Sequence, residues 1–348
     1  MPNQPDSHLK LVLDGKALVS NWQALNDLSG TAACGAAVKA DGYGLGGHEV
    51  VSRLLRAGCR DFFVATWAEA AEVEWLLNSA SLTVLNGLLD GDMDFAARSG
   101  AKPMLNSAKQ VELWRPTGKP CDIMVETGMN RLGIPADEID QIDWTGLDVD
   151  CLSSHLASAD EDALQNANQL AAFNSVGEGI PHKRKSIANS AGIALGTEYH
   201  FDLTRPGLSI YGGIPRSELA DSIQSVGQIE VPILQVRWLE PGDRAGYNAT
   251  FVADHLMPIA IISMGYADGY MRGFSGSGCF FHGGNSLPVI GRVSMDLVAI
   301  DLTAARGLTE GDTVTLPLDL PELSRQSAMS QYEMLTALGS RFDRKWMD

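Results

Sequence analysis

Short apolar runs alternate with amphipathic stretches over residues 9–212, and this alternation restricts the fold more than any other feature of the chain. Candidate strands lie at 32–38, 61–65, 82–85, 103–105, 121–125, 149–154, 185–187 and 202–204. Helical patterns fill most intervals, at 15–28, 47–57, 67–77, 107–115 and 162–178. Strands of a parallel sheet read as continuous apolar runs because helices cover their faces. About eight strand–helix units in roughly 200 residues suit a (β/α)8 barrel better than an open doubly wound sheet. Beyond residue 217 the pattern changes. Segments 229–239, 258–264, 287–290, 297–302 and 313–316 are β-rich, with Gly, Pro and Asp between them, and no long helix is expected before 331–338. The expected class is α/β, with an N-terminal TIM-like (β/α)8 barrel over 9–216 and a mainly-β domain over 217–348. The extreme N-terminal residues are left available to the β domain. A chain of 348 residues with 45% hydrophobic content is long enough for both cores.

The most informative chemistry sits at the first candidate strand. The run Ala32-Ala33-Cys34-Gly35-Ala36-Ala37-Val38 ends on Lys39, and Ala40-Asp41-Gly42-Tyr43-Gly44-Leu45-Gly46 follows. An amine at a strand exit is held on a rigid element, where function is usually placed. A lysine, a phenol and a glycine-rich turn with exposed amides suit a carbonyl compound bearing a phosphate, and pyridoxal phosphate fits that description. Two other readings stand beside this one. A lone strand-end lysine is often only solvated. The spacing Gly42-x-Gly44-x-x-Gly47, with Asp61 farther on, also matches a dinucleotide-binding fingerprint. Lys39 and Asp41, however, interrupt a junction that in such folds runs apolar into its first glycine.

Charge narrows the partners. Lys and Arg number 26 against 43 Asp and Glu, a net charge of -17, which disfavours nucleic acid and anionic membrane. The five cysteines are scattered and form no Cys-x-x-Cys pair, so neither a disulfide frame nor a metal site is expected. The start, Met1-Pro2-Asn3-Gln4-Pro5-Asp6, lacks a basic and apolar leader pattern, and no run is long enough to span a bilayer. A cytoplasmic location is expected.

Other candidate strands end in polar residues: Glu126-Thr127-Gly128-Met129-Asn130-Arg131-Leu132-Gly133, then His155 with Ala159-Asp160, then Asn189-Ser190-Ala191. Arg205-Pro206-Gly207-Leu208 with Tyr211-Gly212 completes the barrel series. In a barrel all of these converge on the C-terminal face, where active sites lie. The β-rich part adds Gly265-Tyr266-Ala267-Asp268-Gly269-Tyr270 and Gly291-Arg292-Val293-Ser294-Met295-Asp296. In these stretches, and in their order over nearly the whole chain, the sequence resembles the bacterial alanine racemases, pyridoxal-phosphate enzymes of fold type III.

The resemblance implies a homodimer that interconverts L- and D-alanine with pyridoxal 5′-phosphate, supplying D-alanine for peptidoglycan. It implies that Lys39 carries the cofactor and serves as one acid/base, and that Tyr266 from the other subunit serves as the second. Two acid/bases on opposite faces are what inversion of a carbon requires. Tyr43 and Ser190, with the amides of Gly207 and Leu208, would bind the phosphate. Arg205 would meet the pyridine nitrogen, His155 would lie between Arg205 and Tyr266, and Arg131 and the amide of Met295 would hold the substrate carboxylate. Met124 stands where many relatives have a lysine that supports Arg131, Ser186 where a histidine is frequent, Asn248 where a glycine is usual near the substrate entrance, and Ser340 near a phosphate-binding tyrosine. Alternatives are a racemase of different range, such as serine, a related decarboxylase, and a non-catalytic cofactor carrier. Decarboxylases pair the pyridine nitrogen with a carboxylate, where this chain has Arg205, and carriers lack a second domain.

Overall fold

The computed structural model describes residues 7–176 and 179–348. The chain divides into two compact units, Leu18–Gln224, and the chain through Ala17 together with Ser225–Asp348.

In the first unit seven parallel strands follow one another in sequence order: Ala36–Ala37, Asp61–Val64, Ser81–Val84, Lys102–Leu105, Pro120–Met124, Asp148–Ser153 and Arg184–Ser186. An eighth, Leu203–Thr204, pairs in parallel with Ala33–Cys34. Its flanking amides reach the seventh strand's side, Asp202 N–H donating to Lys185 O at 3.1 Å and Arg205 N–H to Ala188 O at 2.8 Å. The ladder therefore closes on itself, and the expected (β/α)8 barrel is present. Gly35 divides the first strand because a Cβ there would lie 2.8 Å from Asp61 O and from the Phe63 ring.

Several strands begin one residue earlier than the apolar pattern suggests, on Lys102, Asp148 and Arg184. Two of these charges, with others near the strand starts, meet inside the barrel. Lys102 Nζ lies 2.8 Å from Asp122 Oδ1 and also bonds Asp150. Arg184 forks onto Asp61 at 3.1 and 2.8 Å and reaches Asp150 at 2.8 Å. Its strand and that of Asp61 are not neighbours, so this guanidinium spans the interior. Thr83 Oγ1 and Cys151 N–H donate to Asp122 at 2.7 and 3.0 Å. Burial pushes the Asp122 carboxyl up, against the pull of Lys102. Every group that contacts it is placed to donate, which holds it as a carboxylate.

The second unit is an eight-stranded sheet. Its order is Met257–Ile262, Val298–Asp301, Asn285–Ile290, Cys279–His282, Thr313–Pro317, Gly227–Leu239, Lys10–Asp14, Asp343–Met347. The 13-residue strand Gly227–Leu239 serves three partners. Its first half pairs with Thr313–Pro317 and its second with Met257–Ile262, with a register shift between Ile233 and Gln235. Lys10–Asp14 lies between that strand and Asp343–Met347. One expectation fails here: a helix, Leu320–Ser327, precedes the expected one, which is itself shorter, at Gln331–Thr336. Asp319 caps the unexpected helix through Glu322 N–H at 3.2 Å, and Pro321 stands in its first turn, where the missing N–H costs nothing. Among the described residues no helix is long and apolar enough to cross a membrane, and no cluster of His, Cys, Asp and Glu suits a metal.

Removing one member of the interior ion network strands its partners. Asp122→Ala should cost about 3–5 kcal/mol in urea unfolding. Asp90→Ala, which breaks an exposed pair with Lys109 at 3.2 Å, should cost under about 1 kcal/mol. Equal losses would show that the buried ions contribute no more than surface ones.

Candidate active site

Lys39 follows Val38, whose N–H still belongs to the barrel ladder through Phe63 O at 2.8 Å. The chain then takes a left-handed course. Ala40, Asp41, Gly42 and Tyr43 have φ of 53, 53, 62 and 55°. Each non-glycine residue in that region costs about 1–2 kcal/mol, so the surroundings must hold it. Inside the turn, Gly42 N–H donates to Val38 O at 2.9 Å, Gly44 N–H to Ala40 O at 2.8 Å and Gly46 N–H to Asp41 O at 2.9 Å. Asp41 Oδ1 takes the N–H of Gly47, the first residue of the helix Gly47–Ala57, at 2.6 Å. The glycine spacing that resembled a dinucleotide fingerprint thus serves a strained turn.

Outside the turn the anchor is Glu69, which sequence reading did not single out. Its Oε1 accepts Ala40 N–H at 2.7 Å, and its Oε2 accepts Ala65 N–H at 2.6 Å and Thr66 N–H at 3.3 Å. Glu69 also closes the capping box of Trp67–Val73 with Thr66. One carboxylate therefore joins two neighbouring strand ends. The Thr-x-x-Glu pattern was visible in the sequence, but the tie to Ala40 is a tertiary contact.

The turn delivers Tyr43 to a buried position, stacked on Tyr211 with ring centroids 4.6 Å apart. Tyr211 Oη donates to Ala37 O at 2.8 Å. Gly207 is required beside them, since a Cβ there would lie 2.3 Å from the Tyr43 hydroxyl. Ser190 opens the helix Ser190–Leu195, capped by Asn189. Its Oγ accepts the N–H of Gly207 at 3.0 Å and of Ser209 at 3.2 Å. Tyr43, Ser190 and Gly207 are thus gathered in one cradle whose donors are all neutral, an arrangement suited to an oxyanion such as phosphate.

Arg205 is buried on the adjacent strand end. Its Nη1 donates to Ser186 Oγ and, at 3.4 Å, to Ser153 Oγ, and its Nη2 donates to Ser154 O at 2.6 Å. The Phe63 ring lies 6.0 Å away. Ser186 is an acceptor for this guanidinium, and its own hydroxyl donates to Leu203 O.

His155 follows Ser154 directly. Burial, then Arg205, Arg131 and Lys39, push its imidazole down to about 3, so it is neutral near pH 7. Burial, then Arg131, lowers the Lys39 amine as well, with Glu69 opposing. Arg205, Arg131 and Lys39 therefore act on His155, and Arg131 acts on Lys39, at this end of the barrel. An amine in such a field is more readily deprotonated and nucleophilic than a solvated lysine. Arg131 is exposed on a loop wound around Glu126, whose carboxylate accepts the amides of Gly128, Met129 (2.6 Å) and Arg131 (3.4 Å). These bonds hold the Glu126 carboxyl below its usual range against the cost of burial. Met124 is buried at the end of its strand.

The remaining two expected residues belong to the other unit, where they are brought to each other. Tyr266 N–H donates to Ser294 O and Ala267 N–H to Met295 O, both at 3.0 Å. Gly265 leaves no room for a Cβ, which would lie 2.3 Å from Met295 O. Arg341 locks the pair by bonding Asp268 and Asp296, each at 2.7 Å. Arg272 lies over the Tyr266 ring, 5.4 Å from its centroid.

Known proteins share this arrangement of segments. The family model "Alanine racemase, N-terminal domain" matches residues 13–215, and "Alanine racemase, C-terminal domain" matches 226–346. The biosynthetic alanine racemase of Agrobacterium fabrum is 38% identical over 368 residues, covering 97% of this chain and 94% of the relative. An alanine racemase of Jannaschia is 40% identical over 345 residues, with 96% and 97% covered. Among solved structures, the alanine racemase of Bartonella henselae with covalently bound pyridoxal phosphate superposes with a TM-score of 0.92 at 34% identity, over 99% of this chain and 100% of that one.

The neutral imidazole predicts a pH signature. A group whose folded value lies below its unfolded one contributes stability that is full above the unfolded pKa of 6.5 and is lost as pH falls toward about 3. The urea midpoint should therefore drop between about pH 7 and about pH 5 in the wild-type protein, and His155→Asn should drop less. An identical drop in both would mean that His155 is not held neutral.

Proposed function

The chain belongs to the alanine racemase family, and from that premise we propose that it interconverts L- and D-alanine, using pyridoxal 5′-phosphate bound through Lys39. The observation that carries this reading is a lysine amine lowered by burial and by Arg131, beside a cradle of neutral donors that only a glycine at 207 permits. The residues present suit the cofactor: an amine for its carbonyl, hydroxyls and amides for its phosphate, and a buried guanidinium for its ring. Pyridoxal phosphate, when bound, supplies the electron-withdrawing ring that makes the α-proton of an amino acid removable.

The chain's own groups do the rest. Tyr43, Ser190 and the amides of Gly207 and Leu208 hold the phosphate. Arg205 would meet the pyridine nitrogen, and because a guanidinium keeps its proton, it would leave that nitrogen unprotonated and so limit side reactions such as transamination. Lys39 moves a proton at the α-carbon from one face and Tyr266 from the other. His155, neutral and beside Arg205, orients the Tyr266 phenol. Arg131 and the Met295 amide hold the substrate carboxylate, and Met124 cannot carry a carbamate to support Arg131.

Lys39 and Tyr266 lie in different compact units of the chain. Both fit a head-to-tail homodimer in which each site takes Lys39 from one subunit and Tyr266 from the other. Exposed Leu234, Trp238, Tyr247, Val252, Leu256 and Met295 give the β unit apolar surface for such an interface. The enzyme acts in the cytoplasm and supplies D-alanine for peptidoglycan.

Chiral chromatography of reactions begun from L- or D-alanine tests the activity; both should reach the same near-equal mixture. Borohydride reduction and peptide mapping should place the cofactor on Lys39, and a label on any other lysine would overturn that assignment.

Subunit mixing tests the shared site. Lys39→Ala and Tyr266→Phe should each be nearly inactive alone. In a mixed dimer one site carries both lesions and the other neither, so random exchange should restore at most about a quarter of wild-type activity per site. No recovery, with exchange confirmed by mass spectrometry, would place both residues in one subunit's site.

A further inference from the structure

Gln169 lies on the helix Leu164–Val176 and is 1% exposed, yet every polar atom of its carboxamide is used. Its Nε2 donates to His155 O at 2.9 Å and to Thr127 Oγ1 at 3.2 Å, and its Oε1 accepts Ala157 N–H at 2.8 Å. The orientation of the amide is forced, because an N–H only donates and a carbonyl only accepts. The Thr127 bond starts a one-way relay. Ser154 Oγ gives its single proton to Val125 O at 3.0 Å, so in the 2.7 Å contact between the hydroxyls Thr127 is the donor. One side chain therefore ties together the loop that carries Arg131, the backbone of His155, and the end of the strand between them.

The next turn of the helix repeats the contact. Gln165 Nε2 donates to Gly128 O at 2.9 Å, and its Oε1 accepts from Ser158 Oγ at 2.8 Å. Gly128 stands at φ +135°, and a Cβ there would lie 3.3 Å from Gln169 Cγ, so loop and helix are in close approach. Arg131, being exposed, owes its place to this loop. A buried polar group that loses its partner bears the full desolvation cost, so a shift of the loop that takes Thr127 away from Gln169 and Ser154 is opposed.

We propose that Gln169 is a positioning residue for substrate: it fixes the Arg131 loop relative to His155, so that the substrate carboxylate meets the guanidinium in one place. This rests on the racemase reading of the site. Displacement of a binding group by about 1 Å is enough to cost one to two orders of magnitude.

The test compares two buried amides of one helix. Gln169→Met keeps length and removes all three bonds. Asn166→Ala removes bonds to Ser158 O (3.0 Å) and Glu161 O (2.9 Å), which do not reach the Arg131 loop. Racemisation kinetics with L-alanine, and inhibition by propionate, a carboxylate of the same size without the amine, are measured alongside thermal unfolding. Gln169→Met should raise both KM for alanine and the propionate inhibition constant about tenfold, with kcat changed far less, since one lost bond of that kind is worth about 1.4 kcal/mol. Asn166→Ala should lower the unfolding temperature and leave both constants within about twofold. Should Gln169→Met fail to fold, Gln165→Met, which frees Gly128 O on the Arg131 loop and also Ser158 Oγ, should raise the same two constants by a smaller factor. Unchanged constants in the Gln variants, or equal changes in Asn166→Ala, would overturn the proposal while leaving the racemase reading intact. A wild-type protein that does not racemise alanine would overturn that reading and the proposal with it.

Discussion

The left-handed turn from Ala40 to Tyr43 is the constraint on which the site depends. Two of its residues, Ala40 and Asp41, have a Cβ and a short side chain that gain nothing from positive φ by themselves. The conformation persists because a carboxylate from the helix after the neighbouring strand, Glu69, holds the first amide, and because Asp41 commits its own side chain to the following helix. The result is a sharp reversal immediately after Lys39. It turns the chain back so that Tyr43 stacks on Tyr211, at the far end of the ladder, instead of running on into a conventional strand-to-helix loop. Strain of this kind is affordable only on a scaffold that is over-determined elsewhere, and the closed parallel barrel provides one.

The barrel separates its two ends chemically. Toward the strand starts, charges of both signs neutralise one another: Lys102 and Arg184 against Asp61, Asp122 and Asp150. At the strand exits Lys39, Arg131, His155 and Arg205 stand with far less compensation; burial and the three cations keep His155 neutral, and burial and Arg131 lower Lys39. A cationic end that keeps His155 neutral and weakens Lys39's hold on its proton is suited to an anionic, carboxylate-bearing ligand. Arg205 is the most fully hydrogen-bonded of these groups. Bonded to two serine hydroxyls and a carbonyl, it presents a fixed direction and a fixed charge.

Much of this was legible in the chain. The alternation of apolar and amphipathic runs fixed the number and order of barrel strands, because period and length are local properties. The residues at strand exits could be named because a barrel gathers them whatever the loops do. What escaped reading was tertiary. The strands that begin on Lys102, Asp148 and Arg184 looked like loop until charges from other strands satisfied them. Glu69 closes a local capping box with Thr66, but nothing local tells that its other oxygen reaches Ala40. Gln169 read as one more polar residue on a helical pattern. The sign of φ at Ala40 and Asp41 is not written in those side chains. The helix Leu320–Ser327 was missed despite Asp319 and Pro321, since β-rich surroundings outweighed a short capping signal.

The pairing of the Tyr266 and Met295 segments has its own consequence. Gly265 packs so closely on Met295 O that the two loops are built as one part, clasped by Arg341. A phenol and the backbone amide next to it are therefore a single cassette. Transplanting the tyrosine loop alone into a relative would separate it from the surface it was shaped against. Exchange of such loops between homologous chains has to take both, with the arginine that fastens them, or neither.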